Sequence, residues 1–252
     1  MEKTLTYFLS DFHLGARYID NPAAHERRIV DFLESVKNTA KEIYLLGDIL
    51  DYWYEYRYVV PRGFVRFFGK LAELSDNGTA IYWFIGNHDI WIFDYLPNEL
   101  GVKIIDAPMV KTIGGKRFFL DHGDGVGQQK RSFRILRSVF RNKTCQKLYA
   151  AIHPRWTVPF ALRWSNGSRK DDSYPQYLGE NNEYLEQFAK TYTGETVDYF
   201  VFGHRHIMLD KPIGEKSRLI VLGDWIHFCS YAVFDGENLT LKRFRDEAGK
   251  KS

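Results

Sequence analysis

The pattern of apolar and polar positions in the first half of the chain predicts strands and helices in alternation. A strand-like run at residues 5–9 is followed by a stretch at about 24–37 whose apolar residues recur at helical spacing. A second strand at 43–46, an apolar helical stripe at 64–74 and a third strand at 80–85 repeat this unit. The first half therefore reads as two consecutive βα units and the strand that closes them.

After about residue 102 the pattern changes to short strands that pair as hairpins. One hairpin is predicted from 109–113 and 116–120, and another from 231–234 and 239–244. A further strand is predicted at 219–222. Alternation followed by hairpins favours a mixed α/β (α+β) fold, either one mixed sheet or two packed sheets, with helices outside.

Length and composition favour a single soluble domain. At 252 residues the chain can bury a substantial core, and its 44% hydrophobic and 27% charged content are ordinary for a globular protein. It has neither an apolar run as long as a transmembrane helix nor a signal-peptide pattern, so we expect a cytoplasmic protein. The two cysteines indicate neither a disulfide framework nor a thiolate metal site. We predict one domain over 1–245 and a flexible tail at 246–252.

The segment 125–170 differs from the rest of the chain and is predicted to be a helical insert that acts as a lid. It contains eleven basic residues and no acidic one, so the remainder of the chain is acidic although the net charge is +3. Its apolar residues recur at helical spacing and are followed by Trp156, Phe160 and Trp164. Such a segment suits an apolar groove or an anionic membrane surface. An ordinary helical pair with a solvated basic face is the plainer alternative.

Five clusters of metal-ligand residues each follow directly after a strand-like run. They are Asp11-Phe12-His13, Gly47-Asp48-Ile49-Leu50-Asp51, Gly86-Asn87-His88-Asp89, His122-Gly123-Asp124 and Gly203-His204-Arg205-His206. We expect all five at one edge of a sheet, in the crevice beyond the carboxyl ends of the strands, where α/β folds place their ligands. The glycines would let tight turns bring the backbone close to this site.

The side chains in these clusters suit a borderline or hard divalent metal such as Mn, Fe or Zn. The seven candidate ligands are Asp11, His13, Asp48, Asn87, His122, His204 and His206. If the Asp48 carboxylate bridges two ions, each ion receives four protein groups and keeps open positions for water and a substrate oxygen. Two ions about 3.5 to 4 Å apart can hold the attacking hydroxide and the phosphoryl oxygens of an in-line displacement. The clusters therefore predict a two-metal hydrolase.

His88, beside the candidate ligand Asn87, is the candidate general acid. An imidazole there could protonate the leaving oxygen, which contributes about 10² to 10⁴ in rate. Asp51 or Asp89 could orient an imidazole as its hydrogen-bond partner. A histidine taken alone is more often structural, and three are placed in that class: His25, His153 and His227.

In this order, the clusters resemble those of the calcineurin-like metallophosphoesterase superfamily over residues 5 to about 225. The resemblance implies a two-sheet sandwich with flanking helices and a dinuclear Mn, Fe or Zn centre. Of these metals, we expect Mn in this protein. It assigns one metal to Asp11, His13, Asp48 and His206, and the other to Asp48, Asn87, His122 and His204. It also implies that His88 contacts the substrate phosphate and protonates the leaving group, with Asn87 beside it in the catalytic site.

Within the superfamily, three features are similar to the UDP-2,3-diacylglucosamine pyrophosphatases of lipid A biosynthesis. They are Ser10-Asp11-Phe12-His13-Leu14-Gly15, Leu222-Gly223-Asp224-Trp225 and the basic, apolar insert before the last histidine pair. This resemblance implies hydrolysis of the pyrophosphate of a UDP-sugar lipid to UMP and a sugar 1-phosphate. The chain departs from that family at His88, where Arg is frequent, and at Asp51, where Glu is frequent. In the wider superfamily, histidine is ordinary at the position of His88.

The insert suits an acylated diphosphate, because such a substrate requires cations beside an apolar groove. The predicted phosphate or sugar contacts are Lys130, Arg131, Arg134 and Arg137. The second predicted partner is the anionic inner leaflet of the cytoplasmic membrane, on which the protein would be peripheral. No protein partner is predicted, and nucleic acid is not the preferred ligand.

Two other functions remain open at this point. A basic run with Trp156 and Trp164 could follow a phosphate backbone and stack bases, which would make the chain a phosphodiesterase of nucleic acid or soluble nucleotides. A metal-stabilised binding module would need no turnover at all. The aromatic run at 52–58 is either a substrate contact near the mouth of the site or a half-buried strand.

Overall fold

The computed structural model describes residues 3–127, 131–167 and 175–244, and the predicted tail at 246–252 lies outside them. Strands and helices alternate in the first part of these ranges and strands dominate the last part. In chain order they are β1 (Leu5–Leu9), α1 (Pro22–Val36), β2 (Ala40–Leu46), α2 (Val65–Asp76), β3 (Ala80–Phe84), α3 (Tyr95–Leu100), β4 (Lys103–Ile105), β5 (Met109–Ile113), β6 (Lys116–Asp121), α4 (Arg131–Arg141), α5 (Lys143–Ala150), α6 (Pro154–Gly167), α7 (Tyr184–Thr191), β7 (Tyr199–Phe202), β8 (Met208–Ile213), β9 (Ser217–Leu222), β10 (Ser230–Phe234) and β11 (Leu239–Arg243).

The strands form two mixed sheets, which confirms the predicted two-sheet α/β architecture. One sheet has the order β11-β10-β1-β2-β3-β4, with β1 to β4 parallel and β10 antiparallel to β1. The other has the order β5-β6-β7-β9-β8, in which β6, β7 and β9 are parallel. The expectation that all five ligand clusters lie at one edge of one sheet is therefore wrong. Three clusters follow β1, β2 and β3, and two follow β6 and β7 of the second sheet.

Side chains that alternate along each strand divide the interior into three layers of packing. The inner faces of the two sheets meet through side chains such as Phe8 and Tyr44 of one sheet and Phe118 of the other. The outer face of the first sheet packs against α1 and α2, and the outer face of the second packs against α7. The fold is thus helix, sheet, sheet, helix, with the parallel strands of both sheets ending on the same side.

Local sequence explains where α1 begins and which face it buries. The Asn21 side chain accepts a hydrogen bond from the Ala24 backbone N–H at 3.0 Å, and a proline occupies the first turn. Its apolar face, which carries Ile29 and Phe32, is buried on the first sheet. Helices α4, α5 and α6 occupy the predicted insert. None of the helices in the described ranges is long and apolar enough to cross a membrane.

Candidate metal centre

The carboxyl ends of the parallel strands bring all seven candidate ligands together. Among these seven, two groups have ligand atoms within 4.8 Å of one another: Asp11, His13 and His206, and Asp48, His122 and His204. A third group of this kind consists of His13, Asp51 and His88. Asn87 joins the group that contains His122, because its Oδ1 lies 3.2 Å from His122 Nε2. We call Asp11, His13 and His206 the first subsite, and Asn87, His122 and His204 the second subsite, with Asp48 between them.

The first subsite is built from hydrogen-bond acceptors that face each other. His13 Nδ1 donates to Asp51 Oδ1 at 3.2 Å and His206 Nδ1 donates to Asp224 Oδ2 at 3.1 Å, because a carboxylate can only accept. Each Nε2 therefore carries a lone pair, yet the two Nε2 atoms lie 3.3 Å apart. Asp11 Oδ1 lies 3.3 Å from His206 Nε2 and is buried without a hydrogen-bond partner. Converging acceptors of this kind require a cation between them.

The second subsite has the same character. His122 Nδ1 donates to the Leu46 carbonyl at 2.7 Å, so Nε2 is the ring atom that faces the subsite and would bind a metal in place of its proton. That Nε2 lies 3.3 Å from Asp48 Oδ2, 3.2 Å from Asn87 Oδ1 and 3.2 Å from His204 Nδ1. Burial lowers the pKa of His122, but the carboxylates of Asp48, Asp11 and Asp124 together outweigh burial and raise the pKa well above its usual value. The position therefore attracts positive charge, which a metal ion would supply.

Asp48 lies where a bridging ligand is needed. Its Oδ2 faces both subsites, at 3.8 Å from His13 Nε2 and 3.3 Å from His122 Nε2. Its other oxygen accepts a hydrogen bond from the His88 backbone N–H at 2.9 Å. Burial raises the pKa of Asp48, but His122 and His88 outweigh it and hold the pKa well below its usual range. The carboxylate is therefore ionised and oriented, as a bridge between two cations requires.

Most of the candidate ligands have a left-handed backbone conformation, which residues other than glycine rarely adopt. Five of the seven candidate ligands have φ between 47° and 64°: Asp11, His13, Asp48, His204 and His206. Left-handed residues that are not glycine persist only where the surrounding structure holds them, and they cluster at functional sites. No sequence pattern predicts this conformation at these five residues.

As expected, glycines in the ligand loops allow the loops to approach each other closely, and two of them lie directly against candidate ligands. A Cβ on Gly86 would lie 2.3 Å from Asp48 Oδ1, and a Cβ on Gly203 would lie 2.6 Å from Asp11 Oδ2. Real Cβ atoms do not approach so closely, so any side chain at either position would displace a candidate ligand.

The residues that orient the imidazoles differ in part from the expected ones. Asp51 does so as predicted, since its carboxylate accepts from His13 and its backbone carbonyl accepts from His88 Nδ1 at 3.0 Å. Asp89 has a different role. Its carboxylate accepts hydrogen bonds from the Gly86 backbone N–H and the Trp83 indole N–H, and so fixes the loop after β3. Burial and the Asp48 charge raise the pKa of Asp89 to about 6.

Asp224 is an orienting residue that the sequence reasoning missed. It is buried, and its Oδ2 accepts from both His206 Nδ1 and His227 Nδ1, at 3.1 and 2.9 Å. Its position directly after strand β9 is the signal that could have identified it, because the other clusters also follow strand ends.

Of the remaining histidines, His25 is buried with its Nε2 2.7 Å from the Phe12 carbonyl, which fits the structural class.

His88 lies at the boundary between the ligand cluster and a cavity of about 510 Å³. Burial lowers the pKa of His88, but the Asp48 and Asp51 charges outweigh it and raise the pKa above its usual value. The cavity continues from Asn87 and His88 to the insert. The insert's wall is apolar, formed by Leu136, Val139, Phe140, Phe160 and Ala161 with others.

The four predicted substrate contacts are placed differently from one another. Arg137 lines the cavity, and its Nε donates to the buried Asp124 carboxylate at 2.9 Å. Arg134 is exposed and is not among the residues that line the cavity. Lys130 and the side chain of Arg131 lie outside the described part of the chain. These contacts remain predictions.

The aromatic run after the second cluster divides between core and cavity. Trp53 and Tyr54 are buried, whereas Tyr52 lines the cavity and its hydroxyl lies 3.1 Å from the Tyr149 hydroxyl. Tyr58, at the far end of the run, is 83% exposed. The run therefore supports the floor beneath the insert, with Tyr52 as its member at the cavity.

Comparisons with known proteins agree with this geometry. A family model described as calcineurin-like phosphoesterase matches residues 5–208. The chain belongs to the calcineurin-like phosphoesterase family. It is therefore a hydrolase, and a binding module without turnover is not favoured. The acceptor-only arrangement of both subsites fits the divalent metals that such a phosphoesterase requires.

Curated relatives match nearly the whole chain. A protein named UDP-2,3-diacylglucosamine hydrolase from Porphyromonas gingivalis is 45% identical over 95% of this chain and 97% of its own length. A protein of the same name from Pseudomonas putida is 28% identical over 86% of this chain and 89% of its own length. Another from Neisseria meningitidis is 25% identical, with 92% and 94% of the two chains covered.

Proposed function

We propose that this phosphoesterase hydrolyses the pyrophosphate bond of UDP-2,3-diacylglucosamine to UMP and 2,3-diacylglucosamine 1-phosphate, a step of lipid A biosynthesis. The observation that carries the proposal is the cavity, which joins the polar pair Asn87 and His88 to an apolar wall contributed by the insert. A molecule with a diphosphate at one end and acyl chains at the other matches both ends of this space. The names of the curated relatives support the same substrate.

Two divalent ions would complete the site, and we propose Mn²⁺, with Fe²⁺ or Zn²⁺ as alternatives. The first ion would be held by Asp11, His13, Asp48 and His206, and the second by Asp48, Asn87, His122 and His204. When bound, the ions would supply an activated water and neutralise charge on the phosphoryl oxygens.

His88 is placed to act as the general acid. Its Nδ1 donates to the Asp51 carbonyl, which fixes the ring, and its side chain lines the cavity where the leaving group must pass. A protonated imidazole there can give its proton to the oxygen of the departing sugar phosphate while water adds to phosphorus. Asn87, its neighbour, would hold both metal and phosphate.

The composition of the cavity favours an acylated substrate over nucleic acid. Among the described residues that line it, Arg137 is the one Lys or Arg, and that guanidinium is already paired with Asp124. A groove that follows a phosphate backbone needs a row of cations. The aromatic and aliphatic lining suits acyl chains instead, because burying their methylene groups contributes about 0.8 kcal/mol each.

The outer surface of the insert suggests how such a lipid is reached. Away from the cavity, the insert exposes the apolar side chains Ile135, Leu148, Ile152 and Trp156. Exposed basic residues lie among them: Arg134, Lys143, Lys147, Arg155 and Arg163. Each such residue near an anionic leaflet contributes roughly 1 kcal/mol to binding. We therefore propose a peripheral enzyme at the cytoplasmic face of the membrane.

Mn²⁺-dependent release of UMP in detergent tests the substrate. We expect UDP-2,3-diacylglucosamine to be cleaved far more efficiently than UDP-glucosamine without acyl chains. Replacing Trp91, which lines the cavity and donates its indole N–H to the Phe140 carbonyl at 2.9 Å, by Ala should raise KM for the acylated substrate only. Equal efficiency on both substrates would contradict the lipid assignment and leave the phosphoesterase reaction standing.

A separate variant tests the general acid. His88→Ala should reduce kcat by about 10² to 10⁴ while the protein still binds two ions. The loss should be larger on a phosphodiester whose leaving group is an alcohol than on one whose leaving group is p-nitrophenol, because only the alcohol oxygen depends strongly on the proton. Wild-type turnover in His88→Ala would remove this residue from the mechanism.

A further inference from the structure

We infer that Glu183 and Tyr184, at the start of α7, are positioning residues that hold the two histidines of the second subsite in place. Both residues follow the insert in the chain, and neither belongs to a ligand cluster. Each contacts a different ligand loop of the same subsite. The inference rests on the proposed two-metal function and names residues that no ligand motif includes.

Glu183 holds the loop that carries His204. Its carboxylate is fully buried and accepts two hydrogen bonds from the Arg205 guanidinium, from Nε at 2.9 Å and from Nη2 at 3.1 Å. Arg205 lies between His204 and His206, so this bidentate pair restrains the segment from which both project. His206 is also held by its hydrogen bond to Asp224, so we expect the loss of the pair to affect His204 more. A planar guanidinium bound at two points restrains orientation as well as distance. The same Nη2 also donates to the Gln176 carbonyl at 3.3 Å.

Tyr184 holds the loop that follows His122. Its hydroxyl donates to the Gly123 carbonyl at 3.1 Å. The loop and the start of α7 pack closely at two glycines. A Cβ on Gly123 would lie 3.2 Å from the Leu185 side chain, and a Cβ on Gly127 would lie 3.1 Å from the Tyr184 ring. The start of α7 therefore packs directly on the loop of 123–127. Two consecutive residues thus restrain both histidine loops of one subsite.

Helix α7 also supplies a matched control. Glu186, one turn further along, is fully buried like Glu183 and is ion-paired with Lys190 and Lys211, each within 2.9 Å. Within the described residues, its hydrogen bonds and ion pairs are with Lys190 of α7, Lys211 of β8 and Tyr177, and none of these partners lies in a ligand loop. Loss of either carboxylate should destabilise the fold, but only Glu183 should alter the metal centre.

The test is a titration of metal-free protein with Co²⁺. Calorimetry measures the affinity of each subsite, and the visible d–d absorption reports the Co²⁺ ion bound there. His13→Ala and His122→Ala assign the two absorption bands. We expect Glu183→Gln to weaken binding at the second subsite 10- to 100-fold and to change its band, while the first subsite stays within about threefold. Arg205→Lys, which keeps the positive charge but loses the two-point contact, should do the same. Tyr184→Phe should show a smaller loss at the second subsite.

Several outcomes would overturn the inference. Two ions bound at wild-type affinity in Glu183→Gln and Arg205→Lys would do so, as would an equal loss at the second subsite in Glu186→Gln. If Glu183→Gln does not fold, Arg205→Lys decides. A wild-type chain that binds only one ion would refute the proposed two-metal function itself. That result is read from the wild type alone and is therefore distinct from a failure in the variants.

Discussion

Replacement of Asp224 by Asn tests whether a residue outside the ligand set controls the first subsite. One carboxylate oxygen accepts hydrogen bonds from the backbone N–H groups of Ile226, His227 and Phe228, at 3.1, 2.7 and 3.2 Å. The other accepts from His206 Nδ1 and His227 Nδ1. Asparagine can keep the three backbone bonds, but its NH₂ would then face an imidazole N–H. His206 would relieve that contact by moving its proton to Nε2, the atom that must bind metal.

The magnitude follows from the charge state of Asp224. Burial raises its pKa, but the hydrogen bonds and charges of His206 and His227 outweigh burial and lower the pKa from 3.8 to about 2. Each pKa unit corresponds to about 1.4 kcal/mol, so the ionised carboxylate stabilises the folded protein by about 2 kcal/mol. Because the folded-state pKa is lowered, this stabilisation is complete above a pH of about 4. It is lost as the pH falls through about 2.

Two measurements check this prediction at pH 7. Urea unfolding of metal-free Asp224→Asn should give a free energy of unfolding about 2 kcal/mol below that of the wild type. Metal titration should show affinity at the first subsite reduced 10- to 100-fold, with the second subsite unchanged. His227→Gln is the control, since it removes the other imidazole from the same oxygen and leaves His206 in place. Wild-type affinity at both subsites in Asp224→Asn would refute the reasoning.

Two further substitutions separate the metal centre from the general stability of the fold. Gly86→Ala should abolish the binding of both ions, measured by calorimetry, because its Cβ would lie 2.3 Å from Asp48 Oδ1. Gly69→Ala is the control: this glycine lies in α2 with open space around it, so the variant should bind both ions. Glu55→Gln should lower the free energy of unfolding by about 1 to 3 kcal/mol and leave metal binding intact. The buried Glu55 carboxylate accepts the backbone N–H groups that begin α3, including those of Phe93, Asp94 and Tyr95. Unchanged denaturation in that variant would contradict its capping role.

Much of the fold could be predicted because its core strands are short apolar runs with polar residues directly after them. The runs that became β1, β2, β3, β6 and β7 were all recognised, and so were both hairpins. Their division between two sheets was not, since periodicity along one strand does not record which strand lies beside it. The missed elements have weak patterns. Strand β4 has three residues, and β8 carries a lysine and a proline that break its apolar alternation.

The candidate ligands stand out in the sequence for the same reason, but the residues that hold them do not. A ligand at the end of a parallel strand is marked by its position in the chain. Glu183 and Tyr184 are marked by nothing local, because their contacts are with Arg205 and Gly123, which lie 22 and 61 positions away. Such supporting residues are defined by tertiary contacts alone.

The left-handed backbones show what these supporting contacts accomplish. A non-glycine residue in this conformation costs about 1 to 2 kcal/mol, so five of them cost about 5 to 10 kcal/mol in total. Hydrogen bonds between neighbouring loops hold them: His13 N donates to the Asp48 carbonyl at 3.0 Å, and His204 N donates to Asp11 Oδ2 at 2.9 Å. The packed core and these hydrogen bonds offset that cost in the folded protein. Strained backbone of this kind persists where the surrounding structure holds it, and here the loops that follow neighbouring strands hold it at the candidate ligands.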